Sequence, residues 1–380
     1  MKSKSAFIFL IFLLVGMHFF YQTKITAGSL QTQESKELEL FLRFRDEFFT
    51  TYLSSSGVEI NGDSLAFLGT LNGVSIIKAT VPNQNGSGEE IAFLTGPNSQ
   101  WRDMGTYFDQ KSGRTYLYVV TEGKFFHFPN GMQILDLSIL YDKEGNFLSD
   151  ERNFTTARSV FIDSDATRMY VSGVDSASSL GGMKILDLSD PERPQEIGVY
   201  GEGVSSSFAR GEICFVFYKS GGFFDILNVK DPQKIEFLTR VYVPKAFLFS
   251  GWLTKDNRYF LVVDRTIGGY LLTFDLLDIY NPRLVKEFKI STVDDKAVLS
   301  KVLIRRNLAY CAWHTGGLRV INIENPLFPY EVAHFFTNSG NTSNPFGGVN
   351  DVYVEEQRGY IFISDSDYEK GGLFVLRVPE

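Results

Sequence analysis

Gly182-Met183-Lys184-Ile185-Leu186-Asp187-Leu188-Ser189-Asp190-Pro191 holds one whole strand and its exit turn. A short apolar run opens on glycine, closes on aspartate and meets proline soon after. Proline cannot donate to a ladder, and an aspartate at a turn start bonds the backbone two residues on. A similar apolar run returns, usually ending in an acidic or amide residue and often followed closely by proline, giving seven copies in all: Gly73-Val74-Ser75-Ile76-Ile77, Gly131-Met132-Gln133-Ile134-Leu135-Asp136, the segment above, Phe224-Asp225-Ile226-Leu227-Asn228-Val229-Lys230-Asp231-Pro232, Leu272-Thr273-Phe274-Asp275-Leu276, Gly317-Leu318-Arg319-Val320-Ile321-Asn322-Ile323-Glu324-Asn325-Pro326 and Gly371-Gly372-Leu373-Phe374-Val375-Leu376. A period of about 40 to 60 residues is propeller-blade spacing.

Working outward from each copy, the neighbouring segments repeat too. Arg158 to Asp163 and Arg168 to Ser172 read as a first and second strand, Ser179-Leu180-Gly181-Gly182 as a turn, and Gln195 to Tyr200 as an outer strand. First strands are expected near Gly57, Trp101, Arg158, Ser205, Gly251, Ser300 and Gly348. The last repeat ends at Val378-Pro379-Glu380, too early for its own fourth strand, and the Leu- and Phe-rich segment from Leu38 to Tyr52 fills that gap. A helical face through Glu37, Leu38, Leu40, Phe41 and Phe44 is the alternative, and ring closure favours the strand. The fold expected is therefore all-β: a seven-bladed β-propeller closed by an N-terminal outer strand. Residues 1–27 read as a signal peptide, 28–37 as a linker and 38–380 as one propeller.

Composition narrows the function classes. Aromatic residues make up 15% of the chain, with 35 Phe, a strand former that suits sheets packed face to face. The net charge of −8 argues against nucleic acid, which needs a basic footprint. Cys214 and Cys311 fall in strand-like runs of different blades and read as buried thiols, because a disulfide needs Cα atoms within about 7 Å. At the N-terminus, Lys2 and Lys4 precede an apolar run from Ala6 to Phe20, and Thr26-Ala27-Gly28-Ser29 follows. This is signal-peptide grammar with a cut after Ala27; an uncleaved anchor is the alternative, and membrane contact is expected only through this segment if it stays on. The expected location is extracytoplasmic: periplasm, cell surface or secreted.

Longer motifs point to a family. Ser99-Gln100-Trp101-Arg102-Asp103-Met104, Asn130-Gly131-Met132-Gln133-Ile134-Leu135-Asp136-Leu137, Gly211-Glu212-Ile213-Cys214-Phe215, Gly251-Trp252-Leu253-Thr254-Lys255-Asp256-Asn257-Arg258-Tyr259-Phe260-Leu261 and Gly371-Gly372-Leu373-Phe374-Val375-Leu376-Arg377 carry the resemblance. Over about residues 57 to 378 the chain resembles the LVIVD-repeat propellers, and within them the choice-of-anchor B family of exported bacterial proteins. The resemblance implies an exported propeller, often with a separate C-terminal anchoring segment, and brings no assigned activity. That family places histidines at several inner-strand starts. Here those positions read Arg158, Ser205 to Ser207, Phe249-Ser250 and Ser300, and His127, His314 and His334 are expected in later strands or loops. An imidazole metal site is not carried over.

The remaining constellations are weak. No Cys or His pair has metal-ligand spacing, and Asp365-Ser366-Asp367 lacks the rest of a calcium loop. No nucleophile elbow surrounds any serine. Asp103 and Asp351 both sit at inner-strand starts, where paired carboxylates can perform acid–base chemistry on a sugar; an ion pair of Asp103 with Arg102 that locks blades is the preferred reading. Trp101, Phe249 and Trp252 are candidates for a ligand-binding mouth or for core packing. The Gly-Gly turns mark hairpins. Polar loops are expected at Asn83 to Ser99, Lys124 to Gly131 and Asn338 to Phe346, where binding tends to sit. The function expected is a non-catalytic interaction module for a protein or glycan partner, with a channel-mouth enzyme, hydrolytic or metal-assisted, as the alternative. No cofactor, catalytic residue or metal ligand is assigned. The candidate ligand-binding residues are Trp101, Arg102, Asp103, Arg158, Ser250, Trp252, Ser300 and Asp351.

Overall fold

The computed structural model describes residues 35–45, 52–80, 88–122, 131–141, 147–149, 154–175, 181–219, 221–337, 344–367 and 370–377. Residues 1–27, read from sequence as a signal peptide, His127 and most of the expected polar loops lie outside them. Seven antiparallel sheets follow one another along the chain, each ordered from an inner strand to an outer one. The inner strands are Tyr52–Ile60, Arg102–Asp109, Ser159–Asp163, Val204–Arg210, Leu248–Leu253, Leu299–Arg305 and Val349–Glu355, numbered here as blades 1 to 7. The repeated apolar runs are the third strand of every blade.

The ring closes as the chain ends imply. Glu39–Phe44 is the outer strand of blade 7, antiparallel to Gly372–Arg377, with Glu39 opposite Arg377 and Phe44 opposite Leu373. Leu42 is buried there, and Arg377 grips Glu39 at 2.8 Å. The helical alternative is therefore excluded. Lys36–Glu37, read from sequence as linker, instead pair in parallel with Tyr330–Phe335, so the N-terminal segment braces blade 6 as well as blade 7. Tyr52 belongs to blade 1, whose inner strand begins earlier than Gly57, and blade 5 likewise begins at Leu248 rather than Gly251. Glu89–Thr95, expected within a loop, is the outer strand of blade 1. It is exposed along most of its length with Leu94 alone buried, so it shows no inward alternation to read.

The turn chemistry accounts for the regular exits. Asp187 accepts from the Ser189 N–H at 2.8 Å and Asp190 from Glu192 at 3.2 Å; Asn228 and Asp231, then Asn322 and Asn325, repeat the pair of bonds in blades 4 and 6. These side chains are turn formers. Gly317 and Gly372 adopt φ of +79° and +138° at the starts of third strands, a region L side chains rarely enter. Between blades the core is dense in phenylalanine. Phe215 stacks on Phe260 with centroids 3.8 Å apart, and Phe224 meets Phe274 edge-on at 5.3 Å. Each such ring contributes roughly 1.5–3 kcal/mol by leaving water. Cys214 and Cys311 are free, buried thiols in blades 4 and 6. Among the described residues no helix is long and apolar enough to cross a membrane.

Candidate functional site

Pairing register aligns one residue from each inner strand at a common level. Ser54 faces Gly69, Asp103 faces Val120, Ser159 faces Ser172, Ser206 faces Phe217, Ser250 faces Val263, Lys301 faces Ala312 and Asp351 faces Ser364. In six blades the partner is the penultimate residue of the second strand, and in blade 3 a register shift after Ser172 adds one residue. Blades 6, 7 and 2 thus supply a lysine and two aspartates, whereas blades 3, 4, 5 and 1 supply serines. Five inner strands carry a bulge just before this level, at Leu53, Ser205, Phe249, Ser300 and Asn350. A bulge leaves its extra residue unpaired and re-aims it. Here these residues tie blades together: Ser300 Oγ donates to Asn350 Oδ1 at 3.4 Å, and Asn350 donates to the Leu53 carbonyl. Two residues further on, Phe161, Phe208 and Trp252 pack against one another, with centroids 4.8 to 5.8 Å apart, and form an aromatic floor. They line a channel cavity of about 600 Å³ that continues past them to Phe108, Thr115 and Ser164.

Asp103 and Asp351 do the same structural work. Each carboxylate accepts the next N–H of its own strand, Met104 at 3.0 Å and Val352 at 2.7 Å. Each also accepts an N–H from the following blade, Val160 at 3.0 Å and Ser55 at 3.1 Å. Lys301 pairs with Asp351 at 2.7 Å. Burial pushes the Asp103 carboxyl up; Lys301 opposes that rise and Asp351 adds to it. Burial pulls the Lys301 ammonium down, yet the two carboxylates outweigh it and leave it above its usual value. The expected ion pair of Asp103 with Arg102 is not formed. Consecutive strand residues face opposite sides, and Arg102 turns instead to the carbonyls of Thr70 at 3.0 Å, Leu71 at 3.3 Å and Pro97 at 2.6 Å. Burial lowers its pKa to about 10.

A second cluster sits at the mouth. The Arg158 guanidinium lies 3.8 Å from the centre of the Trp101 ring, whose Nε1 donates to the Arg158 carbonyl at 2.6 Å. Arg158 and Lys219 share Glu122, at 3.4 and 3.2 Å. Arg265 lies over Phe249 at 4.6 Å and near Trp101 at 5.5 Å. Its guanidinium makes no hydrogen bond or ion pair among the described residues, and its Nε is buried without a partner. Burial, aided by the charge of Arg158, lowers its pKa to about 10. His314 is 1% exposed and both ring nitrogens lack partners. Burial first, then the charge of Arg265, holds its pKa down to about 3, so the ring is neutral at ordinary pH. Ser250 Oγ is a further buried hydroxyl without a partner.

Seven of the eight sequence candidates, Trp101, Arg102, Asp103, Ser250, Trp252, Ser300 and Asp351, line this one cavity. Arg158 stacks beside it on Trp101. Sequence reasoning passed over Arg265 and His314. Both are the first residue after the second strand of their blade, the place also held by Glu122, Lys219 and Ser366. The shared backbone bond marks it: Lys219 N to Gly203 O, Arg265 N to Phe247 O, His314 N to Val298 O and Ser366 N to Gly348 O. A polar residue recurring there was the available signal. Among the described residues no three His, Cys, Asp or Glu side chains converge to hold a metal ion.

No family model and no curated protein matches the chain. Solved propellers do. The β-propeller domain of Myceliophteria thermophila Cps50 (Swd1) matches with a TM-score of 0.61 at 12% identity, over 90% of this chain and 100% of that one. The extracellular domain of the one component system BT4673 from B. thetaiotaomicron matches at 0.58 and 13%, over 91% of this chain and 40% of that one. The periplasmic gluconolactonase PpgL of Pseudomonas aeruginosa matches at 0.55 and 10%, over 82% and 97%. This chain is a β-propeller; at such identities the likeness speaks for the fold alone.

Proposed function

We propose that the protein is an exported, non-catalytic binding module that takes a protein or glycan partner at the mouth of its channel. One observation carries the reading: polar capacity in the channel is divided. The carboxylates an acid–base mechanism would need are held by backbone N–H groups, and Asp351 also by Lys301. Arg265, His314 and Ser250 at the mouth keep unused donors and acceptors. The N-terminal apolar run supports export, as does the resemblance to LVIVD-repeat propellers of the choice-of-anchor B type. The net charge of −8 speaks against nucleic-acid partners.

A channel enzyme is the competing reading, favoured by the raised Asp103 carboxyl close to Lys301. Ligand-observed NMR separates the two on a panel of oligosaccharides and peptides. A binding module gives transient contact signals with every ligand recovered intact, and Asp103→Asn leaves that contact in place. Reproducible turnover that Asp103→Asn abolishes at unchanged melting temperature establishes the enzyme instead.

A further inference from the structure

We propose that the channel mouth holds the carboxylate of an acidic sugar, with the guanidinium of Arg265 gripping the anion and His314 and Ser250 bonding its hydroxyl groups. This rests on the binding-module reading and names the ligand class.

The anion half follows from Arg265. Its planar fork lies on two aromatic rings, lines the cavity and has no partner among the described residues. A guanidinium matches a carboxylate through two parallel hydrogen bonds. Arg158, the neighbouring cation, is already paired with Glu122. In a chain of net charge −8, an unpaired cation in a concave site is a local exception. The same fork also meets a phosphate, and the phosphate control below separates the two anions.

The hydroxyl half follows from His314 and Ser250. A neutral imidazole offers one donor and one acceptor, and a serine hydroxyl does both. A sugar hydroxyl has the same double character. Leaving such groups buried and unmatched is costly, and both line the cavity that holds Arg265. The channel cavity as a whole is about 600 Å³, so a ligand seated beside Arg265 is of small-molecule size, and a folded partner does not enter. The floor of Phe161, Phe208 and Trp252 offers apolar surface to the C–H face of a ring.

The test uses the full chain with D-glucuronate and D-galacturonate as probes, and D-glucose, acetate, inorganic phosphate and an acetylated aspartate amide as controls. Thermal unfolding and ligand-observed NMR are read together. A saturable rise in melting temperature with a uronate, weaker or absent with every control, is the expected result. Arg265→Gln should weaken uronate binding about 10- to 100-fold, and Arg265→Lys, which keeps the charge without the fork, should fall between. Uronate binding equal in Arg265→Gln and wild type overturns the proposal. Equal binding of acetate or the aspartate amide overturns its sugar half, and absence of uronate binding overturns it whole. An immobilised panel of neutral glycans, acidic glycans and peptides separates this from the broader reading. Binding to neutral glycan that survives Arg265→Gln keeps the module and sinks the acidic sugar, whereas no binding anywhere sinks both.

Discussion

Asp351 and Arg265 line the same cavity, and their surroundings are opposite. Asp351 accepts two backbone N–H groups, one from the next blade, and pairs with Lys301. Arg265 rests on aromatic rings with none of its donors engaged. A saturated buried charge is part of the scaffold, because removing it strands its partners. Arg265 is half-buried, and its buried Nε without a partner costs the fold free energy, which is the usual mark of a site kept for a ligand. The contrast divides one channel into a ring of blade clasps and a mouth with free bonding capacity.

The largest expected effect is at the clasp. Asp351→Ala leaves Lys301 without its counter-ion and the Ser55 N–H without an acceptor, and should cost about 3–5 kcal/mol. Urea unfolding measures it, and adding Lys301→Met should restore part of the loss. A cost within the scatter of ordinary surface substitutions, with no recovery in the double variant, breaks the clasp assignment.

His314 gives the next effect, through pH. The folded state keeps its imidazole neutral down to about 3, whereas the unfolded chain takes a proton below about 6.5. The unfolded state therefore binds more protons in that window, and stability rises with pH across it. The contribution is complete above about 6.5 and is lost as pH falls toward 3, reaching about 2 kcal/mol by pH 5. Subtracting the unfolding free energy of His314→Phe from that of wild type at each pH isolates it, since the carboxylates are common to both. A difference that does not move between pH 7 and 4 means the ring is not held neutral.

Asp103→Asn sharpens the comparison on a smaller scale. The amide keeps one oxygen acceptor, so one of the two backbone bonds from Met104 and Val160 survives. A loss of about 1 kcal/mol is expected, well below that of Asp351→Ala, because Asp103 has no ion pair with a cation at salt-bridge distance among the described residues. Equal losses at the two sites would show that the bond to the next blade, rather than the lysine, dominates both.

The blades were legible because the third strands are usually punctuated by glycine in front and often by Asp or Asn with proline behind, and the turn bonds of Asp187 and Asp190 are the physical form of that signal. The closing strand Glu39–Phe44 followed from topology. Glu89–Thr95 was hidden because an exposed outer strand has little apolar alternation. The early starts at Tyr52 and Leu248 were hidden by bulges, which break the two-residue period. In the site, inner-strand starts led to Asp103, Ser250 and Asp351. Reading Arg102 with Asp103 overlooked that neighbours in a strand diverge. Arg265 and His314 stayed out of view because a second-strand exit reaches the channel only through the geometry of the ring.

The division of the channel is tested most directly by the thermal unfolding of Arg265→Met beside Asp351→Ala, without ligand. The account predicts that Arg265→Met, which keeps the packing on Trp101 and Phe249 and removes an unpartnered charge, melts at or above the wild-type temperature while Asp351→Ala melts well below it. Equal and substantial losses in both variants would contradict it, and would make Arg265 one more clasp of the scaffold.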